Sequence, residues 1–184
     1  MDLFTDSLAN KDDWHDNFDD IKLPNAGLWF FPQLFSVNES TRLFESLLAE
    51  VNWQQEKIIM HGKSMQVPRL SAWYGDQGVS YTYSGILHHP NSWIEPLQFI
   101  KQRVETVTQA NFNSVLCNLY RDGKDSVAWH SDDETELGRN PVIASVSLGM
   151  VRRFELRTKA NHAEKYRLDL DNGSCLIMFV ERGT

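Results

Sequence analysis

After Asn111 the spacing of apolar residues changes to two, and that change constrains the fold more than any other feature of the chain. The runs "NSVLCNLY", "VIASVSLG", "RFELR", "YRLDL" and "GSCLIMFV" read as five strands with short connections. Strands that follow one another without intervening helices argue for an antiparallel sandwich or barrel and against a βαβ sheet. Upstream the period is helical. "SVNESTRLFESLLAEVNW" places Ser36 and Glu39 at capping-box spacing and continues as an amphipathic helix. "WIEPLQFIKQRVETVTQ" has Pro96 early, then Leu97, Ile100, Val104 and Val107 on one stripe, which predicts a second helix. Between them, "EKIIMHGKSMQVPRL" reads as a β-hairpin turning at His61-Gly62-Lys63. The expected architecture is mainly β with flanking helices, two helices packed outside a β-jelly-roll.

A chain of 184 residues is about one domain long. One domain over residues 21–184 is expected, after an acidic tail over residues 1–20 whose composition predicts disorder. That tail holds seven aspartates against Lys11 alone, so of the formal net charge of −7 the remaining chain carries only −1. A nearly neutral body leaves room for a local basic face, so net charge does not exclude a nucleic-acid partner. Cys117 and Cys175 each sit in an apolar strand-like run, which predicts buried free thiols and a reducing, intracellular setting. A cytoplasmic location is expected, or nuclear if the source is eukaryotic. There is no 18-residue apolar stretch, so no membrane span is expected. The amino terminus lacks the apolar segment of a signal peptide.

The chemistry concentrates in "AWHSDDE", residues 128–134. On an extended segment His130 and Asp132 would point the same way and could ligate one ion. A histidine and a carboxylate, completed by a remote histidine, make the facial triad of non-haem Fe(II) oxygenases. Alone, the pattern favours a solvated acidic turn over a metal site. In "CNLY", Asn118 and Tyr120 alternate onto one face, either a small-anion site or an ordinary wet face.

The segments "CNLYRDGKDSVAWHSDDE" and "PVIASVSLGMVRRFELR", with "VPRLSAWYGD" and "YTYSGI" before them, resemble the AlkB family. These are Fe(II)- and 2-oxoglutarate-dependent oxidative demethylases of DNA and RNA bases, and the similarity is greatest to animal-type members. It covers roughly residues 28–178. The resemblance implies a double-stranded β-helix fold, with Fe(II), 2-oxoglutarate and O2 as cofactor and co-substrates and alkylated DNA or RNA as partner. It implies His130 and Asp132 as iron ligands. Asn118 and Tyr120 would hold 2-oxoglutarate, with Trp73 and Tyr81 lining the same pocket. Tyr83 would contact a flipped base, and Asp133 and Glu134 would face the substrate. Arg69 and Arg152 would border the cleft, and Met60 and His61 at the hairpin tip would probe the duplex. Lys57, Lys63, Arg121, Lys124, Arg152 and Arg153 would contact phosphates if the fold gathers them.

The carboxyl end departs from the family pattern. Members carry a T-Q pair and a distal iron-ligating histidine after the "GSCLIM"-like strand, and then R-x-N-x-T-x-R, whose first arginine pairs with 2-oxoglutarate. This sequence reads "CLIMFVERGT", and His162, in the connection "TKANHAEK", is the one histidine after Asp132. The sequence therefore predicts a jelly-roll truncated at that end and weak catalysis at best. Its alternative reading is a catalytically impaired nucleic-acid-binding module on the same fold. An oxygenase acting on protein or lipid is a third, less favoured by the hairpin with Arg69, Tyr83 and Asp133.

Overall fold

A computed structural model describes residues 18–23, 26–60, 63–83, 86–131, 141–159 and 161–179. In chain order the first elements are β1 (Asp19–Leu23), β2 (Ala26–Phe31), α1 (Val37–Glu50), β3 (Lys57–Met60), β4 (Lys63–Gln66), β5 (Leu70–Gly75), β6 (Tyr81–Tyr83) and β7 (Ile86–His88). They are followed by α2 (Glu95–Thr108), β8 (Ser114–Leu119), β9 (Ile143–Ser147), β10 (Arg152–Arg157), β11 (Lys165–Leu170) and β12 (Ser174–Phe179). The chain divides into two compact units, Met1–Leu48 with Thr106–Gln109 and Asn140–Thr184, and Ala49–Glu105 with Ala110–Arg139.

The first unit carries an antiparallel sheet in the order β1-β2-β12-β9 and the two-stranded ribbon β10-β11. Leu28, Phe30 and Leu176 share one face of the sheet and form a buried cluster with Leu170, packed against by Phe154, Leu156 and Leu168 of the ribbon. The opposite face carries Phe31, Cys175 and Ile177, also buried. Strand β12 is thus covered on both sides, which is why "SCLIM" is a nearly continuous apolar run rather than an alternating one. The ribbon alternates instead. Its outer face pairs Arg153 with Asp169 at 3.1 Å and Glu155 with Arg167 at 2.7 Å.

Helix α1 starts as its capping box requires. The Ser36 N–H and Oγ both lie 2.8 Å from Glu39 Oε2, and the Glu39 N–H donates to Ser36 Oγ at 3.3 Å. One boundary moves. The tail expected to run through Asp20 ends sooner, because Asp19 and Asp20 pair with Phe30 and Trp29. Phe18 anchors them, its ring 5.3 Å from Trp29 and 5.2 Å from Phe31. The acidic run concealed that aromatic anchor, and residues 1–17 lie outside the described residues.

In the second unit the expected hairpin forms as β3 and β4, paired from Lys57–Gln66 to Met60–Lys63. The central pair is β5 with β8, antiparallel, and the Gln54 backbone bridges Ser71 on the far side of β5 through two 2.9 Å hydrogen bonds. Ala72 and Tyr74 bury one face of β5, and the Tyr74 hydroxyl accepts the Asn52 N–H at 2.9 Å. Helix α2 buries Leu97, Val104 and Val107, three of the four stripe residues, and half-buries Ile100. Beside it, burial raises the Glu105 carboxyl pKa, but hydrogen bonds from Lys101 and the Phe112 N–H outweigh this and hold it below its ordinary value. Among the described residues no helix is long and apolar enough to cross a membrane.

Both cysteines are free, Cys175 buried and Cys117 only half-buried where full burial was expected, and desolvation pushes each thiol from an ordinary 9.0 to about 12. Below pH 9 the thiol is protonated in folded and unfolded chains alike. Between 9 and about 12 only the unfolded chain loses the proton, so stability falls as pH rises through that window. The native protein is expected to resist iodoacetamide at pH 8 and to take up two labels when unfolded, as mass spectrometry would register; rapid native labelling would contradict the burial.

Candidate functional site

The second unit brings several of the expected site residues onto one strand pair and the loop after it. Register sets Ser71 opposite Asn118 and Trp73 opposite Leu116, so these four side chains share one face of the β5-β8 pair. Tyr120 follows β8 directly and is half-buried. Asn118 and Leu116 are exposed, whereas Ser71 is 2 % exposed. The alternation of Asn118 with Leu119 read from the sequence is the alternation the strand has.

Arg69 stands just before β5 and donates from Nε to Asn118 Oδ1 at 2.7 Å. A residue expected at the substrate cleft thereby holds one expected at the co-substrate. Guanidinium only donates, so this bond fixes the orientation of the Asn118 amide, oxygen toward Arg69 and NH2 away.

From Tyr120 the chain enters the turn "RDGKDS", which delivers His130. Asp122 Oδ1 accepts the N–H groups of Lys124 and Asp125 at 2.8 and 3.2 Å, an Asx-type turn. Buried Asp125 accepts the Arg121 N–H at 2.9 Å and grips the Arg121 guanidinium at 2.7 and 3.0 Å. That pairing raises the guanidinium pKa and sets the Arg121 side chain against Asp125. The Ser126 N–H then donates to the Pro68 carbonyl at 2.9 Å, tying this turn to the segment that carries Arg69. Removing the carboxylate with Asp125→Ala orphans the Arg121 N–H, and thermal unfolding is expected to begin about 5 °C lower. An unchanged midpoint would show that the clamp is dispensable.

His130 lies in this loop rather than in a strand, and its ring is exposed. Its Nδ1 is 2.9 Å from the Ala128 carbonyl. A carbonyl only accepts, so Nδ1 carries a proton, and in the neutral ring the lone pair is on Nε2, the arrangement that a metal-ligating histidine needs. The donor chemistry therefore fits a metal ligand. Asp132, Asp133 and Glu134 lie outside the described residues, as does His61. Met60 closes β3, and Tyr81 and Tyr83 begin and end β6; the side chains of all three are outside the described set. Arg152 begins β10 in the first unit, opposite Leu170. Among the described residues no three histidine, cysteine or acidic side chains converge on one point. A cavity of 480 Å³ at the Gly75 end of β5, lined by Asp76, His89 and Trp93 among others, includes none of the expected site residues.

Sequence reasoning missed Ser71 and Asp125. Asp125 had a local signal, because aspartates spaced through a glycine turn commonly bond their own backbone. Ser71 had none.

Residues 27–182 match the model of the 2OG-Fe(II) oxygenase superfamily. The chain is 45% identical over 157 residues to human alpha-ketoglutarate-dependent dioxygenase alkB homolog 3, covering 80% of this chain and 54% of that protein. It is 39% identical over 155 residues to human DNA oxidative demethylase ALKBH2, covering 79% and 59%. To the Arabidopsis thaliana protein of that second name it is 32% identical over 152 residues, covering 80% and 48%. The chain spans about half the length of the curated relatives it matches. A mainly β chain with this loop histidine and this match belongs to the 2OG-Fe(II) oxygenase superfamily, whose fold is the jelly-roll, and within it to the AlkB family.

Proposed function

We propose that the protein removes alkyl groups from N-alkylated bases of DNA or RNA, with Fe(II) as cofactor and 2-oxoglutarate and O2 as co-substrates. The observation that carries this reading is the single run from Asn118 through Tyr120 to His130, with Arg69 bonded to its first member, in a chain similar to alkB homolog 3 and ALKBH2.

His130 and Asp132 would hold the metal, His130 through Nε2. When bound, iron would let O2 decarboxylate 2-oxoglutarate to succinate and CO2 and put the second oxygen atom on the N-methyl carbon, whose hydroxymethyl group then leaves as formaldehyde. The chain's own residues do the rest. Asn118 and Tyr120 orient 2-oxoglutarate, and Trp73 with Tyr81 excludes water from it. A base must leave its stack to be reached, and Tyr83 would receive it. Asp133 and Glu134 would face it and favour the cationic alkylated form. Met60 and His61 would engage the nucleic acid beside the extruded base, and Arg152 would serve its backbone.

The test supplies the protein with Fe(II), 2-oxoglutarate, ascorbate and an N-methylated oligonucleotide, and measures succinate, formaldehyde and residual methyl groups. Methyl loss matched by succinate supports the reading. Tight binding of the methylated strand with no turnover would replace it with the non-catalytic module.

A further inference from the structure

We infer that Ser71 is a binding residue for the co-substrate, donating from Oγ to a carboxylate that also takes the Asn118 NH2, with Arg69 acting as the positioning residue of Asn118. The inference rests on the proposed dependence on 2-oxoglutarate and deepens it.

Three observations converge. The Ser71 side chain is 2 % exposed, and its Oγ has no hydrogen-bond partner among the described residues. A buried hydroxyl without a partner is costly and uncommon in native proteins, so one retained beside a functional site points to a ligand that supplies the partner. Second, Ser71 stands directly opposite Asn118 in the β5-β8 register, which sets their side chains about 5 Å apart on one face. Third, the Arg69 bond occupies the Asn118 oxygen, and the amide NH2 bonds to none of the described residues.

The groups left over are therefore donors: the amide NH2, the Ser71 hydroxyl and the remaining guanidinium N–H groups. A cluster of donors fits an acceptor-only group such as a carboxylate and does not fit the mixed edge of a nucleobase. The next row on the same face is Trp73 opposite Leu116, and Leu116 is exposed. A polar row beside an apolar one suits a short dicarboxylate, which ends in a carboxylate and continues in methylenes.

The experiment is calorimetric titration of the full chain, loaded with Mn(II), with 2-oxoglutarate, alongside thermal unfolding. Ser71→Ala is expected to weaken 2-oxoglutarate binding about tenfold, the worth of a hydrogen bond to a charged group. The same variant is expected to unfold no earlier than wild type, because it removes an orphan hydroxyl rather than a used one. Lower affinity at undiminished stability is a pairing that a merely structural role would not produce. Ser71→Thr keeps the hydroxyl and is expected to restore binding. Arg69→Lys keeps the charge, frees the amide to turn, and is expected to weaken binding about tenfold. Wild-type affinity for 2-oxoglutarate in Ser71→Ala would overturn the inference and leave the proposed function standing. So would a loss confined to oligonucleotide binding, because the donors would then serve a phosphate. A wild-type chain that binds no 2-oxoglutarate would overturn both.

Discussion

Replacing His130 with alanine is expected to lower Fe(II) affinity by more than about 100-fold, since even an outer partner of a ligand is worth about 10–100-fold. Metal binding and folding should separate in this variant. The ring is exposed, so thermal unfolding should stay within about 2 °C of wild type. The readout is an anaerobic titration followed by the visible charge-transfer absorption of Fe(II) with 2-oxoglutarate. Equal absorption in variant and wild type would remove His130 from the metal site and with it the basis of the proposed chemistry. His130→Gln adds a control, because a side-chain amide is a far poorer ligand for such a metal than imidazole.

Gly173→Ala is expected to be the most damaging substitution of comparable size. Gly173 precedes β12 at φ +87°, a conformation that L side chains rarely adopt. Its N–H donates to the Ser147 carbonyl at 2.8 Å, and its own carbonyl accepts the Phe35 N–H at 3.1 Å. The turn therefore belongs to a network that joins β9, β12 and the approach to α1. A Cβ here would collide with the Phe35 carbonyl oxygen and with Ser40 Oγ. Ser40 has no spare room, being fully buried and bonded to the Ser36 carbonyl at 2.8 Å. Backbone strain and overpacking together should cost about 3 kcal/mol or more. Chemical denaturation should reveal this as a lower midpoint at unchanged slope. A loss below about 1 kcal/mol would mean that the turn relaxes away from α1.

Legibility varied along the chain for physical reasons. The α1 start was readable because Ser36 and Glu39 satisfy each other within four residues. Strands β8 to β12 were readable because alternation or continuous apolarity survives in their sequences. Strands β1 and β2 were not read, since β1 opens on two aspartates that read as part of the acidic tail. Strands β5, β6 and β7 entered only as parts of a family resemblance. Arg121 was legible as a cation but not as the partner of Asp125, because a charge does not announce whether it faces solvent or a buried carboxylate.

By itself the sequence determined the strand-rich class, both helices with the cap of α1 and the stripe of α2, the hairpin, the free thiols and the family. All of these rest on local periodicity or on motifs read in order along the chain. Tertiary structure alone decided that Arg69 holds Asn118 across 49 residues of sequence and that Ser71 faces Asn118 with its hydroxyl unmet. The reason is register. A shift of one residue between β5 and β8 would turn Ser71 and Asn118 to opposite faces, and no local pattern in either strand specifies which alignment the chain adopts.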